Sequence, residues 1–387
     1  MKNSLIIILM VLSFSGFSQK IISSGTVPTT INVSTSPDTL EVKLPDSIFA
    51  VVGYTKQVFF KSIIHGFAPL SQNIEVFALG LSKGIKYPRY WTYTPVLADV
   101  GVSNFIVRIK DKNNNIISLD TAKLVISQAV QSPVDTLNVL CIGNSLTDAG
   151  TYVTELQRML VNTGGSPAGL GHKFKFLGTR GTAPANHEGW SGKQWQWAFN
   201  DPASPFTFGA NADFSQYMTT NHAGQDIDIA VILFGWNGMQ WYWDKDTWAA
   251  SWTQYDEMQG LLDSLHSDYP LCKIYVVGLQ PPTPFLTVPY GDDDYSNLGN
   301  WYGVRQSIFG INELYQEQVN TRSAYCSFID FGHGFDEDYG YSTTTQTANA
   351  RSSATVTVQT GGVHPGADGY RQLADCIFQK IVTDHCQ

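Results

Sequence analysis

Val139-Leu140-Cys141-Ile142-Gly143-Asn144-Ser145-Leu146-Thr147-Asp148 passes from four apolar residues into a glycine, a small polar residue and a serine. A short apolar run that ends in glycine reads as a buried parallel strand reaching its carboxyl end. Thr147 and Asp148 are helix-capping residue types, and Val153, Leu156 and Leu160 recur on one face of the helix that should follow. Ser145 is therefore expected on a strand-to-helix turn, at the edge where open α/β sheets bind their ligands. A nucleophile there meets the positive end of a helix and free backbone N–H groups. An ordinary β-α turn with a capping serine would read the same way, so the remaining chain has to discriminate.

Working outward, the same pattern repeats. Leu137 to Ile142, Lys173 to Leu177, Asp228 to Phe234, Lys273 to Val277 and Tyr325 to Phe331 are apolar strand-like runs. Helical spacing lies between and after them, with Met258, Leu261, Leu262 and Leu265 on one face, and Tyr370, Leu373, Ile377 and Ile381 on another. Continuous apolar strands alternating with amphipathic helices predict a parallel sheet covered on both sides, a three-layer α/β/α sandwich. Two irregular stretches interrupt it. Pro281 to about Trp301 reads as a loop over the carboxyl edge, and residues 332 to 361 read as a binding lid or loop that includes the strand-like Ala354 to Val358.

Before residue 128 the signals are of strand type only. Examples are Ile48 to Gly53, Gln57 to Phe60, Asn104 to Ile109 and Ala122 to Ile126, with Asp111-Lys112-Asn113-Asn114-Asn115 as a hairpin turn. Short strands at this density suggest a small all-β, immunoglobulin-like sandwich. It serves either substrate binding or as a spacer. Ser127 to Asp135, with Pro133, reads as a linker. The expected organisation is a signal peptide over 1–18, a leader and β-sandwich accessory domain over 19–132, and the α/β domain over 136–387.

Bulk properties narrow the classes. A chain of 387 residues with 43% hydrophobic content has room for about two packed domains. Lys2, the apolar Leu5 to Leu12 and Gly16-Phe17-Ser18 look like a secretory signal, which predicts a secreted or periplasmic protein. That apolar core is too short to span a bilayer, and no later segment reaches spanning length. The formal charge is −9, or −10 without residues 1–18, whose only charge is Lys2. A net acidic chain with no basic run excludes nucleic acid and anionic membranes as expected partners. Five cysteines without metal-like spacing predict neither a zinc site nor a disulfide scaffold.

Three segments complement Ser145. His187-Glu188-Gly189-Trp190-Ser191-Gly192, Gly235-Trp236-Asn237 and Val363-His364-Pro365 follow the second, third and last predicted strands. In these blocks the chain resembles the SGNH/GDSL hydrolase family, named for a serine, a glycine, an asparagine and a histidine, over roughly residues 136 to 387. The resemblance implies a flavodoxin-like fold and acyl transfer. Ser145 would be the nucleophile. His364 would be its base, a neutral imidazole being the usual proton acceptor near pH 7. The backbone N–H groups of Ser145 and Gly192 and the side-chain amide of Asn237 would form the oxyanion hole, with Gly189 the alternative to Gly192. Where the family has an aspartate three residues before the histidine, this chain has Gly361. Either a Ser-His dyad acts alone, or an acid comes from elsewhere, with Asp330, Asp336 and Asp338 as candidates by position, or the site is degenerate. Asn144 stands where the better-known form of the first block has aspartate.

Tryptophan clusters around both downstream blocks: Trp190, Trp195 and Trp197, then Trp236, Trp241, Trp243, Trp248 and Trp252. Aromatic faces beside an acyl-transfer centre suit the C–H faces of sugar rings, and Trp190, Trp236 and Trp241 are the expected substrate contacts. The expected substrate is a carbohydrate ester, an acetylated polysaccharide. A lipid or thioester substrate and a non-catalytic glycan-binding protein on the same fold are the alternatives. Asp292-Asp293-Asp294 reads as a solvated acidic loop or a calcium site. No cofactor is implied.

Overall fold

The computed structural model describes residues 40–65, 73–80, 83–239, 254–283 and 301–387. In chain order its first strands are β1 (Glu41–Val42), β2 (Ser47–Val51), β3 (Lys56–Phe59), β4 (Ile64–His65), β5 (Asn73–Ala78), β6 (Ile85–Lys86), β7 (Tyr90–Tyr93), β8 (Gly101–Lys110) and β9 (Ile116–Ser127). A sheet in the order β2-β9-β8-β5 and a second in the order β3-β7-β6 share one core, which includes Ile48, Val58, Trp91, Phe105 and Leu124. On β8, Phe105, Val107 and Ile109 are buried and the residues between them are not, the period of two that a half-buried strand imposes. Asp111 closes the β8–β9 hairpin by accepting from the backbone N–H groups of Asn113 and Asn115, both at 2.8 Å. β2 joins β9 in parallel; the other pairs in these two sheets are antiparallel.

The large sheet is built from β10 (Leu137–Gly143), β11 (Phe174–Leu177), β12 (Arg180–Thr182), β13 (Ala185–Gly189), β16 (Ile229–Leu233), β17 (Lys273–Val277) and β18 (Cys326–Ile329), with the short pair β14 (Thr207–Phe208) and β15 (Asn211–Ala212) apart from it. Among the described residues its order is β12-β13-β10-β16-β17-β18. β11 lies beside the first half of β10 and β13 beside its end, so both occupy the same edge of that strand. Every pair is parallel except β12–β13. All five residues of β16 are fully buried, as a strand covered on both faces must be.

The helices are α1 (Ser145–Asp148), α2 (Thr151–Val161), α3 (Trp195–Asn200), α4 (Phe214–His222), α5 (Trp236–Met239), α6 (Gln254–Asp268), α7 (Trp301–Asn320) and α8 (Ala367–His385). α2 packs with α8, and α3 and α4 pack with α6, so helices flank the sheet in the three-layer arrangement. Met258, Leu261, Leu262 and Leu265 of α6 are all buried, each such side chain stabilising the fold by roughly 1.5–3 kcal/mol. Between β18 and α8 the chain forms an antiparallel hairpin, β19 (Thr343–Asn349) with β20 (Ser352–Gln359). The Ala354 to Val358 stretch falls in β20. The loop expected from Pro281 to Trp301 lies mostly outside the described residues.

The sandwich and the α/β part pack into one compact unit. The Lys380 ammonium lies 4.5 Å from the centre of the Phe49 ring, and the rings of Tyr54 and Phe378 are 4.8 Å apart. The central clamp is Arg305 of α7. Its guanidinium donates to Glu337 Oε1 at 3.1 Å, to Ile64 O at 3.0 Å and to Lys61 O, with both charged side chains almost dry. Removing one partner of such a pair strands the other charge away from water. Arg305→Met should lower unfolding free energy by about 3–5 kcal/mol in urea titration. A loss under about 1 kcal/mol would mean that Arg305 is not what compensates Glu337, Lys61 at 3.9 Å or water serving instead.

Candidate active site

β10 ends at Gly143 and the chain turns at once. Asn144 caps α1, its Oδ1 accepting from Leu146 N at 3.0 Å, a bond that uses only the oxygen that aspartate also carries. Asn144 N donates to Leu233 O at 3.2 Å, which ties the turn to the neighbouring strand β16. Ser145 is the first residue of the four-residue α1, so its backbone N–H is one of those a helix start leaves without an intrahelical partner. No acceptor within the protein meets that N–H among the described residues.

His364 comes to Ser145 across 219 residues, with Nε2 2.8 Å from Oγ. In the tautomer protonated at Nδ1, the serine hydroxyl donates to Nε2, the arrangement a general base requires. The histidine sits on a tight turn in which its N–H donates to Gly361 O at 2.8 Å. That turn is pinned from outside. Thr283 N donates to Gly362 O at 3.2 Å, and Pro365 bridges to Tyr341.

The candidate oxyanion donors can be followed bond by bond. His187, Glu188 and Gly189 belong to β13 itself, while Trp190 to Lys193 form the turn beyond it, closed by Lys193 N on Trp190 O at 3.2 Å. Trp190 N donates to Gly143 O at 2.8 Å, so this turn is anchored two residues from Ser145. Gly189 N is engaged by His187 Nδ1 at 3.0 Å, whereas Gly192 N has no internal acceptor among the described residues. A side chain at 189 would also drive into the backbone of Thr147 and Asp148, at 2.2–2.6 Å from a Cβ. Gly189 therefore serves close packing of β13 on α1, and Gly192 is the glycine whose N–H is open. Asn237 on α5 donates one amide proton to Lys193 O at 2.8 Å, which joins it to the same turn and leaves its second proton available.

The three candidate acids lie elsewhere. Asp330 accepts from Gly332 N at 2.8 Å and lies 3.3 Å from His333 Nδ1. Asp336 pairs with Arg89, and Asp338 pairs with Arg89 and Lys61 at 3.0 and 3.1 Å. All three are held by their own turn or by cations of the sandwich, and none bonds to His364. Position 361 favours glycine: its φ is +95°, a conformation that costs an L side chain strain, and a Cβ there would meet His364 O at 3.0 Å.

The tryptophans divide. Trp236 is only 4% exposed, and its indole N–H donates to Gln280 at 3.1 Å; it packs in the core rather than offering a face, contrary to expectation. Trp195 and Trp197 are also buried. Trp190 is half-buried at the site, but Arg180 covers its ring at 4.4 Å and is itself held by Asp148 at 2.7 Å. Trp241, Trp243, Trp248 and Trp252 lie outside the described residues, as does the Asp292 to Asp294 run.

One residue that sequence reading passed over is Glu188. Its fully buried carboxylate accepts from Trp190 Nε1 at 2.9 Å, from the Tyr217 hydroxyl at 2.7 Å and from Thr179 N. The signal was there, an acidic residue next to the block glycine at the end of a strand, but of its three donors only Trp190 is a near neighbour in sequence, while Thr179 and Tyr217 stand 9 and 29 residues away. All five cysteines are buried and unpaired. Burial pushes the Cys141 thiol up to about 12, so it stays protonated near neutral pH.

No protein-family model matches the chain, and no curated protein matches it. Among solved structures it is similar to a family 3 carbohydrate esterase of Clostridium thermocellum, at 15% identity and a TM-score of 0.39, over 65% of this chain and 100% of that one. A family 3 carbohydrate esterase from Talaromyces cellulolyticus is similar at 18% identity and a TM-score of 0.36, over 64% and 97%. An inhibitor-bound aryl esterase of M. smegmatis is similar at 16% and 0.36, over 64% and 98%. The fold is a mostly parallel sheet flanked by helices, with separate small sheets N-terminal to it.

Two outcomes follow from this geometry. Asn237→Ala should lower kcat on an ester substrate by about 10²- to 10³-fold with little change in KM, as loss of one oxyanion donor does; equal rates would remove Asn237 from the hole. Gly361→Asp should not raise kcat, and thermal unfolding should show a less stable protein, because the backbone at 361 disfavours any side chain.

Proposed function

We propose that this protein is a serine esterase that hydrolyses an ester, an O-acetyl group on a carbohydrate, through a Ser145 acyl-enzyme. The observation that carries the reading is the 2.8 Å approach of His364 Nε2 to Ser145 Oγ, beside the open N–H groups of Ser145 and Gly192 and the amide of Asn237. Nε2 takes the hydroxyl proton as Oγ bonds to the carbonyl carbon, and the negative charge moves to the carbonyl oxygen. The three donors receive that oxygen and lower the barrier to the tetrahedral intermediate. Collapse breaks the bond to the sugar oxygen, which leaves with the proton carried by His364. Water then attacks the acyl carbon, giving its proton to His364, and the second collapse returns the proton to Ser145 and releases acetate. The cycle needs no cofactor.

The carbohydrate assignment is supported by Trp190, half-buried at the site, and by Trp241, Trp243, Trp248 and Trp252, which follow Asn237 in sequence. Export belongs to the same proposal and is supported by the signal-like residues 1–18. Acetate release from acetylated xylan and from a small aryl acetate tests both parts. Ser145→Ala should lower kcat at least about 10³-fold on each. Preference for the xylan supports the glycan, activity on the aryl ester alone discards it, and absence of serine-dependent turnover on a wider ester panel overturns the esterase.

A further inference from the structure

Between the elements that carry Asn237 and His364 lies one buried amide that neither the motifs nor the mechanism uses. Gln280 stands three residues beyond β17, at the carboxyl edge of the sheet, and is fully buried. Its Oε1 accepts from Trp236 Nε1 at 3.1 Å, and its Nε2 donates to Val363 O at 2.6 Å. The orientation of the amide follows from its partners: an indole N–H can only donate and a carbonyl can only accept. Trp236 immediately precedes Asn237, and Val363 immediately precedes His364. A single side chain thus spans from the residue before the oxyanion donor to the residue before the base.

The surroundings make the span stiff. The Tyr341 hydroxyl also interacts with the Gln280 amide and donates to Pro281 O, while Tyr341 itself bridges to Pro365. Thr283, three residues on from Gln280, holds Gly362 O through its N–H. The segment 280–283 therefore runs along the histidine turn and grips it at 362, 363 and, through Tyr341, at 365. Its first residue also grips the asparagine helix, through Trp236. Acyl transfer is sensitive to the relative placement of base and oxyanion donors at the scale of an ångström, and the Gln280 amide links the two elements that carry them.

We propose that Gln280 is a positioning residue that sets Asn237 and His364 at their working separation, and so acts on turnover rather than on substrate binding. This rests on the esterase reading. A glutamine is required because the site needs one acceptor and one donor at fixed spacing. Leucine supplies neither. An ionised carboxylate can accept from Trp236 but opposes the Val363 carbonyl, whereas a protonated one restores both bonds.

The test is steady-state kinetics on an aryl acetate for wild type, Gln280→Leu, Gln280→Glu and Trp236→Phe, with thermal unfolding and labelling of Ser145 by a fluorophosphonate on each. Q280L should lower kcat about 10- to 100-fold with KM within about 3-fold of wild type. Q280E, relative to wild type at the same pH, should be more active at pH 5 than at pH 8, a dependence that a purely structural glutamine would not produce. W236F keeps an aromatic ring and removes the indole N–H together with the five-membered ring; with thermal unfolding to separate the lost packing, it decides the matter if Q280L does not fold, and should lower kcat several-fold at wild-type KM. A folded Q280L, or W236F, with wild-type kcat overturns the positioning role, as does a loss confined to KM. If the wild type itself neither turns over esters nor labels at Ser145, the esterase reading fails and this proposal fails with it.

Discussion

The 2.8 Å hydrogen bond between Ser145 and His364 depends on nearly everything else in the molecule. Its ends are 219 residues apart, and neither has a local reason to meet the other. They meet because a parallel sheet returns the chain to the same edge after every strand. β10 delivers the serine there, β13 the Trp190 turn, β16 the asparagine helix, and the segment before α8 the histidine. The register of β10 with β13, Gly143 opposite Gly189, sets the Trp190 turn directly over the serine turn. A shift of one residue would turn every side chain of β13 to the other face.

The N-terminal sandwich takes part in this arrangement through the strand-free segment between β18 and β19. Arg305 binds Glu337 and two carbonyls of the sandwich, Arg89 and Lys61 bind Asp336 and Asp338, and the Ser62 hydroxyl donates to Phe335 O. Gln359, at the end of the β19–β20 hairpin, donates back to Glu337 O and accepts from Thr283. Five residues later comes His364. The sandwich is therefore bonded to the base of the hairpin that leads into the histidine turn. That contact network gives it a mechanical place in the molecule whatever its surface binds.

Much of this was legible in the residues. The continuous apolar runs placed the strands, because a strand buried on both faces has no polar position to offer. Helical spacing of Met258, Leu261, Leu262 and Leu265, and of Tyr370, Leu373, Ile377 and Ile381, marked the buried faces of α6 and α8, all eight of which are buried. The four blocks pointed to Ser145, Gly192, Asn237 and His364. Trp236 shows the limit: an aromatic residue beside a motif block has the same letters whether it faces a ligand or the core. Glu188 shows another, since a carboxylate satisfied by Thr179, Trp190 and Tyr217 is identified only once those three surround it.

By itself, then, the sequence determined the elements and their buried faces, since hydrophobic periodicity records which side of a strand or helix leaves water. It also determined that position 361 is glycine, without saying why. Tertiary structure alone decided which groups face one another: that Asp330, Asp336 and Asp338 turn away from His364, that the Gly189 N–H is engaged while that of Gly192 is open, and that Gln280 joins the asparagine helix to the histidine turn. Such pairings depend on strand register and on the meeting of segments up to hundreds of residues apart, and no local pattern of side chains encodes them.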